Sequence, residues 1–338
     1  MTIKDLAILS GYSVGTVSRV LNNHPNVSRS ARERVLAIAK QEGFTQNIHA
    51  KNLKQTRSND LLAVVRGVQN VLFARLVERL QGLCLNGPFH LVVDYVDELD
   101  DEVAAAVRRV REVKPQGVMF LGGSAEHFDE RFAAIEVPSI LVTSSAASLG
   151  IDRLSSVSTD DEDAACAAVS CLLDRGHRRI AVIGGDRAVS DTSRRRFAGC
   201  LRAFREHGLS FDPDRFYKTA RFSFAGGFAA MEALLSSEPE ITAVFAMSDV
   251  MAIGASRAIR DAGKTIPGDI SLIGFDGLPI CRYCDPRLTT ICQDVEVMAE
   301  ESYRILMDAI RGEKTGPIHR LVPYRLEENG SVRDLSEN

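Results

Sequence analysis

Apolar and polar positions alternate at helical spacing through the first part of the chain. Ile3, Leu6, Ala7 and Leu9 fall on one face of a short helix. Thr2 and Asp5 form a T-x-x-D pattern close to a capping box, in which the threonine oxygen accepts a backbone N–H and the aspartate favours the positive helix end. After GYSVG (11–15), Val17, Val20 and Leu21 make a second stripe, with Thr16, Ser18 and Arg19 largely outside it. The pentapeptide matches G-x-S-x-G, the pattern of a hydrolase nucleophile elbow, which needs a buried strand before the serine. Only ten residues precede Gly11, and they are helical in pattern. The stretch is therefore read as the turn of a helix–turn–helix, with Gly11 allowing the reversal and Ser13 capping the second helix. A third helix is predicted from near Arg29 to Glu42, capped by Ser28 or Ser30, with Val35, Leu36 and Ala39 on its core face and Gly43 as its left-handed stop. The polar, basic stretch NIHAKNLKQTRSND then reads as a linker containing one helical turn.

From Leu61 the period changes. Short apolar runs, LLAVV (61–65), HLVVDYV (90–96), GVMFLGG (117–123) and PSILVTS (138–144), are separated by helical patterns over about 72–85 and 101–113. The alternation restarts with a helix over 162–174 and RIAVIGG (179–185). It continues with a helix from about 194 to 207, a strand near Tyr217 and a helix over 226–235. AVFAM (243–247), a helix over 252–262 and SLIGF (271–275) complete it. Strands alternating with helices predict parallel sheets with right-handed crossovers. The two halves echo each other, down to FLGG and VIGG at strand ends, so two similar α/β lobes are expected. Ligands in such sheets bind beyond the carboxyl ends of the strands, which places the expected site in the cleft between lobes. Neither double glycine reads as a dinucleotide fingerprint.

Composition narrows the function. The 338 residues are 45% hydrophobic and 25% charged, ordinary for a globular protein of two or three domains. No apolar run suffices for a membrane span and no secretory signal opens the chain, so a cytoplasmic protein with no membrane partner is expected. Seven scattered cysteines suit reduced thiols. Cys281 and Cys284 form a C-x-x-C without a second ligand pair, so no metal is expected, nor any cofactor. The net charge of −4 hides an asymmetry: residues 1–59 carry nine Lys and Arg against Asp5, Glu33 and Glu42, which leaves −10 for the rest. A basic head on an acidic body points to a polyanion held by the head alone.

At this point the residues resemble a family. TIKDLAILSGYSVGTVSRVLNNHPNVSRSARERVLAIAKQEGF is similar to the head of LacI/GalR bacterial transcription regulators. In the body, LLDRGHRRIAVIGG, FAMSDVMAIGASRAIRDAG, ISLIGFDG and DPRLTTICQDVEVMAEESYRIL extend the likeness over nearly the whole chain. The resemblance implies an all-α helix–turn–helix head and an α/β core, a two-lobed fold like the type I periplasmic binding proteins, with parallel sheets. It places the head at 1–45, a hinge helix or linker at 46–59, one lobe at 60–158 and 292–320, the other at 159–291 and 321–330, and a polar tail at 331–338. The implied function is a DNA-binding transcriptional regulator, expected to be a repressor. Its homodimer would read a pseudo-palindromic operator in double-stranded DNA under control of a small-molecule effector, a sugar or related metabolite.

By the same resemblance Val14, Gly15 and Arg19 read bases, and Thr16, Ser18 and Asn22 hold phosphates, with Asn22 alternatively a helix cap. Arg19 can grip guanine with two donors, Val14 can touch a thymine methyl, and Gly15 offers no side chain. Ala50 matches the contact between paired hinge helices. Leu53 matches a minor-groove wedge, and Gln46 stands where the family usually has proline. The effector set carried over is Asn70, Phe73, Thr143, Arg196, Phe222, Ser248, Asp249 and Asp276. Arg196 and Asp276 suit hydroxyls, Phe222 suits a flat ring, and Asp249 alternatively caps the helix that follows. Thr143 replaces a frequent aspartate and QNVLF an asparagine–proline–aromatic loop. The rival readings are a solute-binding protein and an enzyme on the same core. No signal peptide supports the first. For the second, no catalytic residues are expected, since none of the seven histidines, His177 included, lies in a recognisable motif.

Overall fold

The computed structural model describes residues 2–21, 26–42, 44, 58–313 and 316–336. They divide into two units, Met1–Ser58 and Asn59–Asn338.

In the first unit α1 (Ile3–Ser10) starts at the expected capping box. Thr2 N donates to Asp5 Oδ2 at 2.7 Å and Asp5 N to Thr2 Oγ1 at 3.3 Å. The helix stops at Gly11, whose φ of +75° is the left-handed conformation. Helix α2 (Val14–Leu21) begins with Thr16 N donating to Ser13 Oγ at 3.2 Å. Helix α3 (Arg29–Gln41) begins at Ser28, whose hydroxyl accepts from Ala31 N at 3.3 Å. Leu6, Ala7, Val17, Val20, Val35 and Ala39 form the core. The expected inward positions Leu9 and Leu36 are exposed. Ala31, Val35 and Ala39 lie four apart on the buried face, and Leu36 is turned about 100° away from Val35. Gly43 lies outside the described residues.

In the second unit, the described residues form two six-stranded sheets. The first has β1 (Asp60–Arg66), β2 (His90–Val96), β3 (Gly117–Leu121), β4 (Ser139–Val142), β5 (Leu154–Ser158) and β11 (His319–Leu321), in the order β11-β5-β4-β3-β1-β2. Every pair in it is parallel. The second has β6 (Ile180–Gly184), β7 (Tyr217–Thr219), β8 (Ala243–Ala246), β9 (Ser271–Asp276), β10 (Thr289–Gln293) and β12 (Tyr324–Glu327), in the order β12-β10-β9-β8-β6-β7. Only β12 runs antiparallel. Helices α4 (Val71–Leu85), α5 (Glu102–Val113) and α11 (Val295–Arg311) cover the first sheet. Helices α6 (Asp161–Asp174), α7 (Asp191–Glu206), the single turn α8 (Pro213–Phe216), α9 (Phe224–Ser237) and α10 (Asp249–Asp261) cover the second.

Two lobe boundaries differ from expectation. Cys292 and Gln293 belong to β10 in the second sheet, and Leu321 to β11 in the first. Residues 331–336 dock on the second lobe rather than trailing from it. Ser331 Oγ donates to Leu272 O at 2.6 Å, Val332 packs against the core, and Leu335 N donates to Arg175 O at 2.8 Å.

Helices α9 and α10 approach so closely that each presents a glycine to the other. A Cβ on Gly254 would overlap the backbone of Phe224 and Phe228, and one on Gly227 the backbone of Met251. Backbone cannot step aside as a side-chain tip can. Gly254→Ala is therefore expected to destabilise the chain by about 1–3 kcal/mol despite its better helix propensity. Urea unfolding should show a lower midpoint; an unchanged or raised midpoint would contradict the packing.

Candidate functional site

The two lobes of the second unit face each other across a cavity of about 100 Å³ at the carboxyl ends of their strands. Asn70, Phe73, Thr143, Arg196, Phe222 and Asp276 all line it. The lobes contribute matching walls. Phe73 lies over Gly122 and Phe222 over Gly185, the glycines that follow β3 and β6, and a Cβ on either glycine would strike the ring. Asn70 also caps α4, its Oδ1 accepting from Leu72 N at 3.0 Å. Thr143, just after β4, and Asp276, ending β9, hold φ of +76° and +122°. Non-glycine residues in that region store roughly 1–3 kcal/mol each, which the surrounding fold has to offset.

Arg196 is 3% exposed. Its Nε donates to Asp161 Oδ1 at 2.8 Å, its Nη1 to Met247 O, and its guanidinium lies 3.5 Å from the Phe275 ring centroid. Asp276 is equally buried. Its Oδ1 accepts from Gln293 Nε2 at 2.9 Å, while Oδ2 has no hydrogen-bond partner among the described residues. Burial pushes the Asp276 carboxyl well above the ordinary carboxylate range, Arg196 opposes the rise, and Asp249 adds to it. A carboxyl with one unpartnered oxygen lining a cavity can accept from a ligand hydroxyl, or donate when protonated.

Ser248 and Asp249 do not line the cavity. Ser248 is the cap of α10, its hydroxyl accepting from Met251 N at 3.3 Å. Asp249 is the first residue of that helix and is fully buried. It accepts from Thr290 Oγ1 at 2.6 Å and from Leu278 N at 2.7 Å. It thereby braces the turn after Asp276, so its carboxyl acts through the backbone that carries Asp276. Burial raises its pKa too, against the hydrogen bonds it receives.

Other lining residues, among them Arg66, Glu98, Ser190 and Thr192, were not anticipated. Arg66 ends β1 and Glu98 follows β2, so the rule that ligands sit beyond strand ends would have pointed to both. Side chains in and around the lining tie the lobes together. Glu98 Oε2 accepts from Phe222 N at 3.2 Å, and Arg221 Nη1 donates to Asp97 Oδ2 at 3.0 Å. Ser124 Oγ donates to Val189 O at 3.0 Å, and Arg194 Nη1 to Glu126 Oε1 at 3.1 Å.

In the first unit, Val14, Gly15 and Arg19 are exposed on α2, Gly15 and Arg19 on the side turned away from Val17 and Val20. Arg19 Nε donates to Gly15 O at 3.2 Å. Thr16 and Ser18 are half-buried beside them, with Thr16 Oγ1 3.0 Å from Ser13 Oγ. Asn22, Gln46, Ala50 and Leu53 lie outside the described residues. In helix–turn–helix heads the second helix is the one that lies in the major groove.

The raised Asp276 carboxyl carries a stability consequence. The folded chain holds this proton to higher pH than the unfolded chain does, so its ionisation costs stability progressively as pH rises past the ordinary carboxylate range. Asp276→Asn should raise the melting temperature more at pH 8 than at pH 5. Thermal unfolding at the two pH values checks this, and equal shifts would contradict it.

Residues 2–47 match the model of the bacterial regulatory proteins of the lacI family, and residues 169–332 match a periplasmic binding protein-like domain. The chain is 35% identical to the transcriptional regulator MalR of Clostridium butyricum, over 92% of this chain and 93% of the relative. It is 31% identical to the transcriptional repressor CytR of Escherichia coli, over 99% and 97%. Among solved structures, the regulator CelR in complex with cellobiose superposes with a TM-score of 0.71 at 27% identity, covering 98% of this chain and 99% of that one. A lacI-family regulator from Enterococcus faecium with bound ribose superposes at 0.70 with 25% identity, covering 82% and 100%. The lac repressor dimer on its operator shares the fold, with a TM-score of 0.78 at 24% identity over 98% and 99%. Among the described residues no helix is long and apolar enough to cross a membrane. The chain belongs to the lacI family of bacterial regulatory proteins, DNA-binding regulators of transcription.

Proposed function

We propose that the chain is a repressor whose grip on a pseudo-palindromic operator is set by a small polar ligand, a sugar or related metabolite, held between the lobes. The observation that carries this reading is the unpartnered oxygen of the buried Asp276 carboxyl at a cleft cavity between two phenylalanine walls. Ring faces pack on Phe73 and Phe222, while hydroxyl or N–H donors meet Asp276 and acceptors meet Arg196. The cavity is small, about 100 Å³, and partly open to solvent, so we take the ligand to be compact, one sugar ring or a free nucleobase, rather than a disaccharide such as the cellobiose bound to CelR.

On DNA, the proposal assigns base reading to Val14, Gly15 and Arg19 and phosphate contacts to Thr16, Ser18 and Asn22. It assigns Ala50 and Leu53 to a hinge pair formed by two copies of the chain. The lac repressor structure, a dimer on operator with a ligand bound, supports the fold-level arrangement. A ligand shifts the operator equilibrium only as far as its affinity differs between the two lobe arrangements.

Two tests follow. Selection of duplexes from a random pool should return an inverted repeat, and repeating it with pentoses, hexoses, nucleobases and cellobiose should alter retention with single-ring compounds. Retention indifferent to every compound, or affected by cellobiose alone, would overturn the proposed ligand class. On the selected duplex, Arg19→Ala should relax one base position at a cost of about 1–3 kcal/mol. Leu53→Ala should leave the melting temperature unchanged yet lose most specific affinity in a mobility-shift titration. Full retention of affinity by Leu53→Ala would remove the hinge from the proposal.

A further inference from the structure

The two lobes are joined by three short segments. Thr159 and Asp160 connect β5 to α6, Asp294 connects β10 to α11, and Val322 and Pro323 connect β11 to β12. Opening or closing the cleft has to be absorbed by torsions there, because the packed lobes on either side do not deform continuously. Gln293 stands at the second segment and its side chain reaches two other places. Thr159 Oγ1 donates to Gln293 Oε1 at 3.1 Å, and Gln293 Nε2 donates to Asp276 Oδ1 at 2.9 Å. Gln293 is 5% exposed, Thr159 3% and Asp276 2%, so water does not stand ready to replace either bond.

An amide has one donor side and one acceptor side. With Nε2 on the carboxyl and Oε1 on the hydroxyl, both partners are satisfied by a single orientation of the Gln293 plane. That orientation also fixes Asp276, directing Oδ1 to Gln293 and leaving Oδ2 without a partner. A donor that takes up Oδ2 turns or anchors the carboxyl. The carboxyl turns the amide, and the amide pulls on the hydroxyl of the first interlobe segment.

We propose that Gln293 is a positioning residue that couples the state of the Asp276 carboxyl to the interlobe segment at Thr159. The amide is thus the route by which an occupied cavity is felt where the lobes pivot. The proposal rests on reading Asp276 as an effector-site residue, but its test needs no ligand.

The test is hydrogen–deuterium exchange of the full chain, followed at amides 158–161, with β6 and β8 as internal controls. Asp276→Ala and Gln293→Leu should each speed exchange at 158–161 at least tenfold and leave the control strands unchanged. The double variant should exchange no faster than the faster single, because both cut one route. Thr159→Val removes the donor at the far end while keeping the side-chain shape, and replaces Gln293→Leu in the cycle if that variant does not fold. Unchanged exchange at 158–161 in folded single variants, effects that multiply in the double, or acceleration spread equally over β6 and β8 would overturn the coupling. If no ligand is ever found yet the exchange effects are shared, the coupling stands and the effector reading falls. If a ligand binds through Asp276 without shared exchange, the effector reading stands and the coupling falls.

Discussion

A guanidinium withdrawn from water has to be met on every side, and Arg196 is where the second lobe satisfies that demand. Asp161 pairs with its Nε, the carbonyl of Met247 accepts from Nη1, and Phe275 offers its ring face. Those partners come from the start of α6, the residue just after β8 and the penultimate residue of β9. Removing one partner of such a buried pair typically costs about 3–5 kcal/mol, because the other charge is left stranded. The wall of the cavity is therefore held in place by an electrostatic requirement, on top of packing. Asp161 lies directly after the first interlobe segment, so the same requirement ties that wall to the place where the lobes pivot.

Around this anchor the two lobes build the cavity by repetition. Each sends a strand into a double glycine, and each lays a phenylalanine over the bare backbone that results. Each also carries a strained residue at the rim, Thr143 in one and Asp276 in the other. Asp276 departs from the symmetry in its chemistry. A buried carboxyl with a raised pKa and one unused oxygen costs the folded chain stability, and such costs gather at sites kept for binding. Asp249 shares the cost without touching the cavity, since its two accepted bonds hold the turn that aims Asp276.

Much of this was legible in the sequence, because short-range rules governed it. The capping box of Thr2 and Asp5, the left-handed Gly11 and the caps at Ser13 and Ser28 follow from local chemistry, as do the strongly apolar strands. Strand β5, Leu-Ser-Ser-Val-Ser, was not predicted, because its polar residues break the apolar signal. It is fully buried all the same. Its serines are satisfied from β11 and the residue before it, Ser155 Oγ accepting from Ile318 N and Ser156 Oγ meeting His319 Nδ1. Strand β11 is 163 residues away in sequence, which no window of periodicity spans. Leu36 was misplaced because the face that α3 buries is centred on Ala31, Val35 and Ala39, and Leu36 falls on the edge turned away from it. Of the carried-over site residues, Thr143 and Asp276 line the cavity from strand ends and Asn70, Phe73, Arg196 and Phe222 from helix starts and a loop, while Ser248 and Asp249 are taken up in the start of α10. Thr192 was missed because its place depends on how the lobes meet, which no local pattern records, whereas Glu98, two residues beyond β2, was within reach of the strand-end rule.

The proposed ligand between the lobes and the proposed reading of DNA by α2 amount to one device only if each alters the other's affinity. Linkage makes that relation reciprocal. The most direct measurement is calorimetric titration of a ligand from the single-ring class onto the full chain, alone and again with saturating operator duplex. The expected result is a ligand affinity that changes on adding DNA by the same factor as operator affinity changes on adding ligand. Identical ligand affinities with and without operator would contradict it.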